Sequence, residues 1–176
     1  NGYVLYGKND YSAEEDDDGL LVKLDEFGVQ EWQVIFDPMF VANDIIVSVD
    51  QTIDGGYILA CNSTNSVEGE QALVNFLIKI DSLGNQEWVS FFDDINGSLE
   101  HVVEYADGLY LTSVSDNSLG LLLVDESGAI IDSFSSNEIL YGDQSILSWV
   151  ETSDGYLLLT KVINQYIYYV IKISST

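Results

Sequence analysis

Two short units recur along the chain, and their recurrence constrains the fold more than any other feature. The first reads Leu21-Val22-Lys23-Leu24-Asp25-Glu26-Phe27-Gly28-Val29-Gln30-Glu31-Trp32 and returns as Leu77-Ile78-Lys79-Ile80-Asp81-Ser82-Leu83-Gly84-Asn85-Gln86-Glu87-Trp88. A third copy, Leu121-Leu122-Leu123-Val124-Asp125-Glu126-Ser127-Gly128, keeps the Asp-x-x-Gly turn but has Leu123 for the Lys and Asp132 for the Trp. A fourth, Val170-Ile171-Lys172-Ile173, ends with the chain. The second unit, Asp54-Gly55-Gly56-Tyr57-Ile58-Leu59-Ala60, is echoed by Asp107-Gly108-Leu109-Tyr110-Leu111 and Asp154-Gly155-Tyr156-Leu157-Leu158, with Gly2-Tyr3-Val4-Leu5 as the tail of one more copy. A period of about fifty residues holding four short strands is the pattern of a β-propeller blade.

The local chemistry predicts strands throughout. Runs of Val, Ile, Leu, Tyr and Phe are bounded by Asp-Gly or Asp-x-x-Gly turns, which supply the positive φ of tight hairpins. No segment sustains a helical period, and Pro38 is the only proline. Each repeat is expected to hold four antiparallel strands: a, the Asp-Gly turn, b, a variable loop, c, the Asp-x-x-Gly turn, and d. The expected fold is all-β, a propeller of about three and a half blades in one domain over 1–176. Blade one covers 1–37 and lacks strand a; blades two and three cover 44–93 and 99–136; blade four covers 144–176 and lacks strand d. In blade two, strands are expected at about 45–52, 56–62, 75–81 and 87–92. Unclosed ends leave edge strands and an apolar face that invite association. The completing element is a four-bladed closure, a second copy, another protein chain or a larger parent.

Composition narrows the partners. With 5 Lys, no Arg and 30 Asp plus Glu, the net charge is −25. Nucleic acid is excluded as an expected partner, because phosphate binding needs Lys and Arg to displace counterions. Membrane insertion is not expected either, since no apolar run is long enough. Yet 47% apolar residues supply ample core, so the chain is expected to be folded. The single Cys61 allows no intrachain disulfide. The chain begins at Asn1 with no Met and no signal segment, as a processed chain or an excised piece does. Asn62-Ser63-Thr64 and Asn96-Gly97-Ser98 fit the glycosylation triplet.

The Asp-Gly-Gly-Tyr turn with a downstream Lys-Ile-Asp-x-x-Gly-x-x-x-Trp, at residues 54–57 and 79–88, resembles the repeats of bacterial secreted and cell-surface β-propeller proteins of the SBBP type. The resemblance covers nearly the whole chain. It implies a secreted or cell-surface location, a prokaryotic source and a scaffold without catalysis of its own. The degenerate third repeat departs from the even blades of that family.

Catalysis is poorly provisioned. His101 is the only histidine and no Arg is present as an anion clamp. His101 aligns with Ser48 and Ser148 as a polar strand-a position, and Cys61 aligns with Gly7 as a small strand-b side chain. Paired carboxylates can serve a glycoside hydrolase or lyase, but thirty acids make any such pair unspecific. The best candidate site is Glu14-Glu15-Asp16-Asp17-Asp18-Gly19. Its alternate acids Glu14, Asp16 and Asp18 copy the opening of a calcium loop, although no Glu stands at the closing position. The plainer reading is a solvated loop between strands b and c. Trp32 and Trp88 recur at one place on strand d, which favours packing between blades over a glycan platform. Lys23, Lys79 and Lys172 recur on strand c, where a stem over apolar surface and an amine on a nearby acid are expected. The leading reading is a non-catalytic binding or assembly module; a carbohydrate-binding propeller, taking glycans on loop aromatics, and an acid-based enzyme are the alternatives.

Overall fold

The computed structural model describes residues 2–9, 17–38, 42–67, 70–92, 95, 97–106, 108–116, 118–135, 144–152, 155–162 and 168–174. These residues form fourteen strands in four antiparallel sheets. Sheet one contains β1 (Tyr3–Asn9), β2 (Asp18–Leu24) and β3 (Gln30–Phe36) in chain order. Sheet two contains β4 (Asn43–Gln51), β5 (Tyr57–Val67), β6 (Glu70–Ile80) and β7 (Gln86–Phe92). Sheet three contains β8 (Ser98–Ala106), β9 (Leu109–Asp116), β10 (Ser118–Val124) and β11 (Ile130–Ser135), and sheet four contains β12 (Gln144–Thr152), β13 (Gly155–Val162) and β14 (Tyr168–Ser174). Every sheet is a meander, so each strand pairs only with its chain neighbours.

The turns explain why the chain reverses where it does. At Asp81-Ser82-Leu83-Gly84, the Asp81 carboxylate accepts the N–H groups of Leu83 and Asn85 at 2.8 Å each, and Gly84 closes the turn at φ +86°. That conformation costs an L-residue about 1 kcal/mol or more. Asp25 and Asp125 make the same pair of bonds, at Phe27 and Val29 and at Ser127 and Ala129.

Sheet two explains the long apolar runs. A strand covered on one face alternates, whereas one covered on both reads as continuously apolar. Tyr57, Leu59, Cys61, Phe76, Ile78 and Ile80 face sheet one and pack with Leu21, Phe36 and Ile46. Ile58, Ala60 and Leu77, on the opposite face, pack with Leu99, Val102, Tyr110, Val114, Leu122 and Val124 of sheet three. Along the series, the first strand of each sheet lies against the preceding sheet: β4 on β1 and β2, β8 on β4 and β5, and β12 on β9 and β10.

Candidate functional site

The seam between sheets two and three is built from repeated residues and sets the standard for its neighbour. Lys79, on β6, is 2% exposed. Its Nζ donates to Asp54 Oδ2 at 2.8 Å, Glu87 Oε2 at 3.0 Å and the Ile80 carbonyl at 3.2 Å. Burial alone depresses an ammonium, but the two carboxylates outweigh it and hold Lys79 above its ordinary value. Gly56 is required beside it, because a Cβ there would stand 2.3 Å from the Ile80 carbonyl oxygen and 2.7 Å from Lys79 Nζ. Trp88 packs on Tyr110 of the next sheet with ring centroids 5.9 Å apart.

Side chains of sheet two also satisfy the inner edge of β8. The Val102 N–H donates to Ser48 Oγ at 3.2 Å and the Glu104 N–H to Asp50 Oδ2 at 3.0 Å. Glu104 Oε2 accepts the Ile53 N–H from the Asp-Gly turn. Higher up, the amides of Asn62 and Asn75 clamp the start of β8. Asn62 bonds both the N–H and the carbonyl of Leu99 at 3.0 Å, and Asn75 donates to the Gly97 carbonyl at 2.7 Å. Asn62, the acceptor of one glycosylation triplet, is thus committed to this seam.

Asp54 makes the seam sensitive to acid. Its partial burial pushes the carboxyl up, but Lys79, the Thr52 hydroxyl and the Gly56 N–H hold it down to about 2, below its ordinary 3.8. A depressed carboxyl contributes stability above its unfolded value and loses it as pH falls through the folded one. The contribution is therefore complete above about pH 4 and gone near pH 2. In urea unfolding, Asp54→Asn is expected to lower stability at pH 7 and to match the parent at pH 2. A constant difference across that range contradicts this linkage.

The seam between sheets one and two repeats part of this arrangement. Lys23 is the counterpart of Lys79, and its Nζ meets Glu31 Oε2 at 3.0 Å and the Leu24 carbonyl at 2.7 Å. Trp32 packs on Tyr57 at 6.0 Å, edge to face, and its Nε1 donates to the Ser82 carbonyl at 3.2 Å. A cavity of about 300 Å³ lies beside Lys23, lined by Gly2, Val4, Tyr6, Lys23, Val49, Gln51 and Tyr57.

Of the sequence-predicted calcium residues, Glu14 and Asp16 lie outside the described residues. Asp18 was expected in a loop but is the first residue of β2, paired in register with Asn9 and buried. Beside it, the Asp17 N–H donates to Asn43 Oδ1 at 3.0 Å, the Asp17 carbonyl accepts the Asp44 N–H at 2.6 Å, and Lys8 Nζ pairs with Asp17 Oδ2 at 2.7 Å. Asp44 is 1% exposed. Sequence reasoning missed Asn43 and Asp44; at the sheet-three position that matches Asp44 stands Gly97. Among the described residues, no group of three or more His, Cys, Asp or Glu is placed to hold a metal ion.

The remaining candidates are structural in their surroundings. Cys61 is buried in the core between sheets one and two, where burial and the nearby Asp44 charge push its thiol well above the ordinary value. His101 lies on β8, and its carbonyl accepts the Thr112 hydroxyl at 2.8 Å. Lys172, on β14, is exposed.

These features define an all-β protein of stacked antiparallel meander sheets with a recurrent Lys-carboxylate seam. No family model and no curated protein matches the chain. Among solved structures, it is similar to a protein of unknown function from Bacteroides caccae, at 12% identity and a TM-score of 0.41, over 88% of this chain and 74% of that one.

Proposed function

We propose that the chain is a non-catalytic β-propeller module of a secreted or cell-surface protein, and that it works in binding or assembly through the exposed apolar faces of its first and last sheets. One observation carries this reading: residues buried in the inner sheets are exposed at their matching positions in the outer ones. Tyr57 and Tyr110 are each 4% exposed, whereas the matching Tyr3 is 60% exposed. Leu77 is fully buried and Leu121 nearly so, whereas the matching Val170 is 69% exposed. Apolar faces of this kind mark interaction surfaces. The shared strand order and the serial packing of the sheets support the propeller architecture, and the repeat resemblance supports the location.

Calcium stabilisation is a second reading, favoured by the burial of Asp18 and Asp44 on neighbouring strands. Carboxylates withdrawn from water favour a hard cation with oxygen ligands. Light scattering over a concentration series tests the first, and thermal unfolding with and without added calcium tests the second. The assembly reading expects a mass of two or more chains at high concentration, and a single-chain mass throughout overturns it. The calcium reading expects a rise in Tm with calcium that Asp18→Asn abolishes; the same Tm in both conditions rejects it.

A further inference from the structure

The start of β4 meets sheet one by different chemistry from that which β8 uses on sheet two. At the seam between sheets two and three, the Asn62 and Asn75 amides clamp the start of β8 through Leu99 and Gly97. In sheet one the matching positions are Lys8 and Gly19, neither of which offers an amide. Lys8 pairs with Asp17 at 2.7 Å instead. The Asp17 carbonyl accepts the Asp44 N–H at 2.6 Å, and Asn43 Oδ1 accepts the Asp17 N–H at 3.0 Å. Beside this contact two carboxylates are withdrawn from water, Asp18 at 8% exposed and Asp44 at 1%.

Ser63 adds an unsatisfied group at the same place. Its side chain is fully buried, and its Oγ has no hydrogen-bond partner among the described residues. A buried hydroxyl left in this state costs about 1–3 kcal/mol. Ser63 stands directly opposite Asp44 in the β4–β5 ladder, where opposed side chains share one face with Cβ atoms about 5 Å apart. That face is turned to sheet one, because Cys61 and Ile46, the next pair on it, pack in the core with Leu21 and Phe36. The Asp44 charge reaches the Cys61 thiol from the same side. The Ser63 hydroxyl and the Asp44 carboxylate therefore share one space between the sheets.

Resting on the calcium reading, we infer that Asp44 and Ser63 hold a calcium ion between sheets one and two, where it serves as the clamp that Asn62 and Asn75 supply at the next seam. Calcium takes roughly six to eight oxygen ligands and accepts water among them. Asp44 supplies charge, Asp18 is the sheet-one carboxylate of that reading, and Ser63 adds a neutral oxygen. This set of two carboxylates and a hydroxyl needs no third acid, in keeping with the absence of any group of three or more His, Cys, Asp or Glu placed for a metal among the described residues. A cation there also offsets the cost of holding a carboxylate away from water.

Calcium itself is the probe, added to the full chain after treatment with a chelator. Titration calorimetry is expected to show one calcium bound per chain, and about tenfold weaker binding in Ser63→Ala. Without calcium, Ser63→Ala is expected to melt no lower than the parent, since it removes a buried hydroxyl together with its desolvation cost. Amide shifts on adding calcium are expected to concentrate on residues 17–18, 43–46 and 61–64. A parent chain that binds no calcium overturns the calcium reading and this inference together. Calcium binding of equal affinity in the parent and Ser63→Ala overturns the inference alone, because the ion then sits elsewhere. A loss of Tm in Ser63→Ala that is the same with and without calcium also overturns it, since the hydroxyl then serves a buried water rather than the ion.

Discussion

Exchanging both carboxylates on Lys79, as Asp54→Asn with Glu87→Gln, is expected to cost about 3 kcal/mol or more, a larger loss than Lys79→Met produces. The asymmetry follows from where the three groups sit. The Lys79 side chain is 2% exposed, whereas those of Asp54 and Glu87 are 56% and 45% exposed. Removing the acids leaves an ammonium in the core with the Ile80 carbonyl as its remaining partner in this group, and an uncompensated buried charge is strongly destabilising. Removing the ammonium returns two carboxylates to water they already reach. Lys79→Met keeps an apolar stem at this buried position of β6, so its cost is expected to stay under about 1.5 kcal/mol. The double variant is expected to melt about 6–12 °C below the parent, scaled for a domain of this size. If Lys79→Met is the more damaging change, the ion pairs rather than the stem hold the seam together.

That hierarchy was partly legible in the sequence. The recurrence of Lys23 and Lys79 before Asp-x-x-Gly points to a buried stem with an acid on its amine, and that of Trp32 and Trp88 points to packing, which their contacts with Tyr57 and Tyr110 supply. The turns were legible because Asp and Gly have one physical role at those positions. Strand ends were less so. β5 and β6 run to Val67 and from Glu70, well beyond the apolar segments, because a hairpin ladder continues through polar residues once its register is set. The contact of Asp17 and Asp18 with Asn43 and Asp44 was not legible at all. It joins two sheets through carboxylates that their matching positions do not keep, since Asp17, Asp18 and Asp44 fall on Leu73, Val74 and Gly97, so no periodic signal marks it. Asn62 was misleading for a related reason: a triplet describes only neighbours in sequence, while its amide is held by Leu99 across a seam.

Burial of sheet two on both faces yields a second large effect, with opposite directions of propagation from adjacent residues. Phe76→Ala and Leu77→Ala are each expected to cost about 3–4 kcal/mol, the range for emptying a closely packed site. Both side chains are at most 1% exposed, yet they belong to different cores. Phe76 meets Phe91 at 5.4 Å and packs in the core shared with Leu21, Phe36 and Ile46. Leu77 packs with Leu99, Val102 and Tyr110. Successive strand residues point to opposite faces, so the void left at one position does not reach the other. Amide shifts in Phe76→Ala are therefore expected to spread into sheet one, and those in Leu77→Ala into sheet three. The double variant is expected to lose the sum of the two within about 0.5 kcal/mol, despite their adjacency in sequence. Strong non-additivity in urea unfolding contradicts two separate cores, and it weakens the case that each sheet is completed by its neighbour.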